Sequence, residues 1–451
     1  MNVSPVNTPL GIDRRRLLRL GGALAAAASL SACSGSGGTG GAGDKNKASL
    51  TVWSWQEPAK ALKALVPEFR RKHPGIKVTV EDIGNPAIWD KITTAMAARG
   101  EGLADVLHIG VDYLPGYTEK FPDGLADLGE LGANKYRRAF ASGLWRTVSP
   151  DGSRVNALPW EANSAGFWYR EDLFRRAGVE AGSLATWDDA IEAGKKIKAK
   201  TGTRLIGMDK PASQADAANF FQMLLQLQGT FYFNADGDIT LDSPEAVRAM
   251  KIIKRLNDAG LVDDYSGGWS TMVSSLKKST VAVQPMPTWF GGVIEREVPQ
   301  QKGKWRVQLP PAVHSGGSRS ATVNSTHLAV AGSSPHQAAA WSFVEYVLTR
   351  PASQAKIYRS AAIAPALMKA YDDAAFHEPS AYFGGQKRGE VFLRALQAPS
   401  RAFNYSADYA RALKVVTDAQ TKVLLKGADA AEVLGDAADR LGKQTGRKIV
   451  R

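Results

Sequence analysis

Leu50-Thr51-Val52-Trp53-Ser54-Trp55 is the stretch from which the fold can be read. It is rich in β-branched and aromatic residues and reads as a strand. Residues 60–72 follow, with Leu62, Leu65, Val66 and Phe69 at the spacing of one helical face. Pro74-Gly75 breaks that helix. Ile76-Lys77-Val78-Thr79-Val80 alternates as a second strand, 88–99 has helical spacing, and Asp105-Val106-Leu107-His108-Ile109 is a third, buried strand. This strand–helix–strand–helix–strand order predicts a parallel sheet with helices on both faces.

Further along, a second α/β region begins near Pro159. Thr186-Trp187-Asp188-Asp189 reads as a capping box opening a helix that runs to about residue 200. Asp242-Ser243-Pro244-Glu245 places a cap before a proline at the first helical position, and that helix stops at Gly260. Thr280-Val281-Ala282-Val283 and His327-Leu328-Ala329-Val330 read as strands. Ser334-Pro335 opens the next helix by the same cap logic. The last 45 residues are helical and alanine-rich, with Leu413, Val416, Val423, Leu424 and Leu434 as apolar positions.

Working back towards the start, residues 1–32 read as an address rather than as part of the fold. Asp13-Arg14-Arg15-Arg16-Leu17-Leu18-Arg19 is a basic block, and the apolar run 20–30 behind it is too short for a permanent span. The run closes on Leu30-Ser31-Ala32-Cys33, which resembles a lipobox with Cys33 as the acylated residue. Arg14 and Arg15 resemble a twin-arginine export signal, although Asp13 and Leu17 depart from its usual neighbours. Cys33 is the only cysteine, so an internal disulfide is excluded. Residues 33–47 are dominated by Gly, Ser and Ala and read as a flexible linker. The expected location is extracytoplasmic, tethered to the membrane by two acyl chains on Cys33, on the periplasmic side or on the outer face of a single-membrane bacterium.

The 451 residues are too many for one ordinary core and imply two domains. The formal net charge of +13 comes from Lys and Arg scattered along helices rather than gathered in one block. That pattern is a solvated basic surface and gives no nucleic-acid site. The six histidines are dispersed, none is paired at metal-ligand spacing, and no hydrolase, metalloprotease or phosphate-loop motif occurs. A non-catalytic protein without cofactor or metal is the expectation.

Ligands of open α/β sheets bind beyond the carboxyl ends of the strands. There the chain carries Trp53, Trp55, Gln56 and Glu57; Asp112 and Tyr113; Trp160, Glu161 and Asn163; Asp209; Trp269; and Trp289. An aromatic beside a carboxylate or amide, repeated at strand end after strand end, suits a sugar. The apolar C–H face of a pyranose lies on a ring while its rim hydroxyls meet the polar groups. Eleven Trp make such platforms available, although most Trp are core, as Trp168 and Trp341 are expected to be.

Several segments carry a family resemblance. They are Leu50-Thr51-Val52-Trp53-Ser54-Trp55, Glu68-Phe69-Arg70-Arg71-Lys72-His73-Pro74-Gly75-Ile76-Lys77-Val78, Ala104-Asp105-Val106-Leu107 and Asn163-Ser164-Ala165-Gly166-Phe167-Trp168-Tyr169-Arg170-Glu171-Asp172-Leu173. Through them, and over 48–445, the chain resembles the family 1 extracellular solute-binding proteins of ABC importers, which include maltodextrin- and arabino-oligosaccharide-binding proteins. The resemblance implies an α/β, two-lobed periplasmic-binding-protein-like fold with a hinge and an interlobe ligand cleft. Lobe 1 would comprise 48–158 and a return at 321–372; lobe 2 would comprise 159–320 and the C-terminal helices of 373–451. It further implies that Asp112 and Glu161 bond sugar hydroxyls and that Trp289 stacks on a ring. Trp55, Glu57, Asn163, Asp209 and Trp269 are carried over as further contacts, with Tyr409 at one end of the cleft and Tyr169 to Leu173 as scaffold. Many relatives have Gly-Gly before the strand at His327; this chain has Val323-Asn324-Ser325-Thr326, so Asn324 would contribute a side-chain contact instead. The implied partners are a carbohydrate, ABC permease subunits and their cytoplasmic ATPase, engaged by a monomer. Two alternatives stay open: a polyamine or glycerol-phosphate-type ligand in the same role, and a surface glycosidase using Glu57 and Glu161.

Overall fold

The computed structural model describes residues 46–211, 218–398 and 403–451. The export signal with Arg14 and Arg15, the acylation site Cys33 and the linker up to residue 45 lie outside the described residues.

The strands are β1 (Ala48–Ser54), β2 (Ile76–Asp82), β3 (Val106–Gly110), β4 (Leu158–Pro159), β5 (Ala165–Arg170), β6 (Ile206–Met208), β7 (Val262–Asp264), β8 (Val283–Pro287), β9 (Trp305–Gln308) and β10 (Thr326–Val330). They form a five-stranded sheet in the order β2-β1-β3-β10-β4, a three-stranded sheet β8-β5-β9 and the pair β6-β7. β1 pairs in parallel with β2 along its whole length and with β3 on its other side, as the sequence order predicts. The sheet as a whole is nevertheless mixed, because β10 inserts antiparallel between β3 and β4. β10 does not follow a crossover helix packed on this sheet; it arrives from the second sheet through residues 321–325. The constraint that makes strand–helix–strand units parallel therefore does not act on it.

Helix Gln56–Lys72 buries Ala59, Ala61, Leu62, Leu65 and Phe69. It starts four residues earlier than its apolar spacing suggests, since Pro58 falls in the first turn, where backbone N–H groups have no intrahelical partner. The Thr186 capping box is present in both directions, with Asp189 N donating to Thr186 Oγ1 and Thr186 N donating to Asp189 Oδ2. Ser243 caps helix Pro244–Asp258 by accepting from Ala246 N at 3.2 Å. Ser334 departs from its expected role. Its hydroxyl donates to Asp105 Oδ1 at 2.5 Å, and the next helix, Gln337–Leu348, begins only after His336. The strand expected at 280–283 is also displaced. β8 starts at Val283 and continues through Pro285 and Pro287, which is possible because within its sheet β8 pairs only with β5.

Apolar side chains collect on both sides of the crossing point. One core gathers Leu50, Val52, Leu65 and Phe69 with Leu328, Phe343 and Val347; a second layer under the same sheet holds Trp53, Trp89, Ile92 and Ile109. On the other side, Phe167, Trp187, Leu224, Ile253, Val416 and Leu434 form the largest cluster, and Trp168, Phe290, Trp305 and Phe392 form a smaller one. Each such side chain contributes about 1.5–3 kcal/mol by leaving water, so both halves of this two-lobed α/β fold have cores of their own. Trp168 and Trp341 are core residues, as expected from their sequence context.

Two segments run antiparallel between the halves. Val323 N donates to Asn163 O and Ala165 N to Ala321 O, both at 2.9 Å, with Ser164 bridged to Thr322. Residues 364–366 border the first segment through Ala162 N to Ala364 O and the Glu161–Pro365 bridge. The C-terminal part is more interleaved than a single return implies. Ala375 and Phe376 still pack in the β1 core, whereas Val391 and Phe392 pack around Trp168.

Candidate binding cleft at the strand ends

Strand directions bring most of the predicted site residues to two facing edges. β4 and β3 are both antiparallel to β10, so β1, β3 and β4 all point the same way. Trp55, Asp112 and Glu161 follow their carboxyl ends, and Asn324 precedes β10 at the same edge. In the other half β6 and β7 are parallel, and Arg204 bridges Val281 in parallel just before β8. Asp209 follows β6, Trp269 follows β7 after Gly267-Gly268, and Trp289 follows β8. β5 is antiparallel to β8, so Asn163, two residues ahead of it, belongs to that edge too.

Glu161 is 7 % exposed, and burial raises its carboxyl from the usual range to about 7. Hydrogen bonds from Thr326 and Asn163 oppose that rise; Thr326 Oγ1 donates to Glu161 Oε1 at 2.9 Å. Asp112 is likewise raised by burial, to about 6, against bonds from its own and Tyr113's backbone N–H. Its charge bears on Tyr405 and Tyr409 of the other half, so it faces them across the junction. Glu161 is buried and Asp112 partly so, and desolvation outweighs the hydrogen bonds each accepts.

Trp55 stacks on the His108 ring at 4.1 Å between centroids and 22° between planes, and meets Trp89 edge-on at 5.1 Å. Trp269 and Trp289 lie 6.2 Å apart with their planes 33° from parallel. Trp269 is 45 % exposed, one of only three large apolar side chains so exposed among the described residues. Tyr113 and Trp160, noted as strand-end aromatics, are committed to packing: Tyr113 stacks on Trp89 at 4.4 Å, and Trp160 is buried in the β1 core.

The remaining residues are placed as follows. Asn163 is buried, donates from Nδ2 to Asn324 O at 2.7 Å and accepts from Thr288 Oγ1 at 3.3 Å, so it clasps the crossing segments. Asn324 sits at φ +56°, a left-handed conformation that asparagine tolerates better than most residues, and its side chain donates to Asn219 Oδ1 at 3.3 Å. Asp209 is buried at the end of β6. Glu57 is part-exposed in the first helical turn and pairs with Lys60 at 3.9 Å. Tyr409 is buried among Phe231, Tyr232 and Tyr405 and accepts from Gln222 Nε2 at 2.8 Å. The Tyr169–Leu173 segment is scaffold, with Arg170 forked onto both oxygens of Asp172 at 2.8 Å. The sequence reading passed over Thr326 and His108. The available signal was a histidine inside the apolar run Val106–Ile109.

The sequence profile of the family described as bacterial extracellular solute-binding protein matches residues 53–354. The chain belongs to this family. Among relatives of this solute-binding protein, a lactose-binding protein of Rhizobium radiobacter is 25 % identical over 448 residues, covering 96 % of this chain and 100 % of the relative. An arabinooligosaccharide-binding protein of Halalkalibacterium halodurans is 26 % identical over 302 residues, 65 % of this chain and 66 % of that one. Among solved structures, the ABC transporter-associated binding protein of B. animalis subsp. lactis, in complex with beta-1,6-galactobiose, superposes with a TM-score of 0.74 at 27 % identity, covering 90 % of this chain and 100 % of that chain. This solute-binding protein has the same two-lobed arrangement.

Proposed function

We propose that this solute-binding protein captures a sugar of two or more rings in the cleft between its lobes and delivers it to an ABC importer, without catalysis, while tethered to the membrane by lipid on Cys33. What supports the sugar reading is the chemistry at the strand ends: the carboxylates Glu161 and Asp112 follow strands of one half, and the Trp269–Trp289 pair follows strands of the other. Carboxylates buried without a compensating cation gain from hydroxyl donors, and a half-exposed Trp gains from a pyranose C–H face. For the lobes we propose 48–158 with 321–372, and 159–320 with 373–451; the crossing segments support this division, while Ala375 and Phe376 pack in the β1 core beyond its 372 limit.

A polyamine would call for several carboxylates around the cleft, whereas the strand ends offer a mixture of aromatic, amide and carboxylate groups. The test is thermal unfolding of 48–451 with lactose, β-1,6-galactobiose and arabino-oligosaccharides, beside polyamines and glycerophosphodiesters. A ligand at a hundredfold excess over its Kd adds about 2.7 kcal/mol. A shift with a saccharide that vanishes in Trp289→Ala and Glu161→Ala supports the proposal; a shift with a cation or phosphate alone discards the sugar.

A further inference from the structure

A chain of hydrogen bonds runs behind the cleft and ends on Glu161. Ser54 Oγ lies 2.9 Å from His108 Nδ1, His108 Nε2 lies 2.8 Å from Thr326 Oγ1, and Thr326 Oγ1 donates to Glu161 Oε1 at 2.9 Å. Ser54, His108, Thr326 and Glu161 are all buried, and they come from β1, β3, β10 and the residues after β4. The His108 ring is also gripped on its faces, by Trp55 at 4.1 Å and by Trp160 at 4.9 Å.

A hydroxyl has one hydrogen to give. The ionised Glu161 carboxylate can only accept, so the Thr326 hydrogen goes to it. Thr326 Oγ1 must then accept from His108, which places the imidazole hydrogen on Nε2 and makes Nδ1 the acceptor from Ser54. Burial holds His108 neutral and the neighbouring His327 opposes its protonation further; burial likewise keeps His327 neutral. The titratable groups of the strands packed against Glu161 are these two imidazoles and Asp112 beyond β3. The direction of every bond follows from the one carboxylate.

We propose that His108 is a positioning residue: acting through Thr326 it holds the Glu161 carboxylate by Oε1, fixing the lone pairs left for a ligand hydroxyl, while its ring backs the Trp55 indole. This inference rests on the sugar-binding reading for its purpose, but the relay is testable without any sugar.

Nitrogen-15 NMR of the imidazoles at pH 8.5 is expected to show His108 as the neutral Nε2–H tautomer. An Nδ1–H tautomer would overturn the proposal, because Thr326 would then donate to His108 and not to Glu161. Carbon-13 titration of the Glu161 carboxyl, assigned by its loss in Glu161→Gln, is expected to move to higher pH in Thr326→Val and to return in Thr326→Ser; an unmoved midpoint in Thr326→Val overturns the relay. Titration of the wild-type protein with lactose and β-1,6-galactobiose separates the two readings. No binding by either sugar overturns the proposed function, and NMR still decides the relay. Binding that Thr326→Val weakens about tenfold, with its pH midpoint displaced upward, supports both; binding unchanged in the variant overturns the positioning role.

Discussion

Glu161 places a functional group where folding alone would not have it. Its carboxyl is raised to about 7 in the folded chain against an ordinary value of 4.5. Below pH 4.5 both folded and unfolded states hold the proton; between 4.5 and 7 only the folded state does; above 7 neither does. Stability therefore falls as pH rises through this window, on the order of 3 kcal/mol for this group. Glu161→Gln, which mimics the protonated acid, is expected to be more stable than wild type at pH 8 and no more stable at pH 4, with weaker sugar binding at pH 8 and similar binding at pH 4; equal unfolding temperatures at pH 8 would count against the burial argument. Sugar hydroxyls that donate to the carboxylate favour its ionised form, so wild-type affinity is expected to rise between pH 6 and 8. At Trp269 the balance is reversed. A side chain 45 % exposed contributes little to folding, so Trp269→Ala is expected to change stability by less than about 1 kcal/mol while lowering affinity for a disaccharide more than for a monosaccharide, as measured by calorimetry.

The elements obey local rules wherever local chemistry is uncontested. Thr186 and Ser243 cap as their sequences predict, because the backbone N–H groups they accept from lie three residues on in the same chain. Ser243→Ala is expected to cost about 1 kcal/mol in urea unfolding, through the lost bond to Ala246 N, and to leave binding unchanged. Ser334 has the same sequence signature but does not cap the next helix: its oxygen accepts from His336 N at 3.1 Å in a turn ahead of that helix, and its hydrogen goes to Asp105, more than two hundred positions earlier. The prolines of β8 show the same thing from the other side. They look like a loop in sequence and sit in a strand, because that strand has a free flank within its sheet. An element's boundary is legible when its neighbours are adjacent in sequence and obscure when they are not.

For the whole molecule, two sets of cores are joined by the segments 160–165 and 321–326 and again by the chain between Phe376 and Val391. Closure around a ligand needs only that the ligand bind the closed form better than the open one. Small-angle scattering of 48–451 is expected to show a smaller radius of gyration on saturation with a bound saccharide; an unchanged radius would argue for a preformed cleft. Asn163, which clasps Asn324 O at 2.7 Å, is placed to set the bending point.

The sequence by itself determined the α/β class, the first three parallel strands, the caps that depend on neighbours in the chain, the family, and the residue types offered at each strand end. Period-two and period-3.6 patterns and turn residues act over a few positions, so they survive in the linear text. The tertiary structure alone decided that β10 runs against its neighbours, that Tyr113, Trp160 and Asn163 serve packing and clasping, and that Ser54, His108 and Thr326 line up behind Glu161. Those outcomes depend on which distant segments share one desolvated space. A buried histidine between two hydroxyls has the same letters as a histidine on a surface, and only the water excluded around it makes the difference.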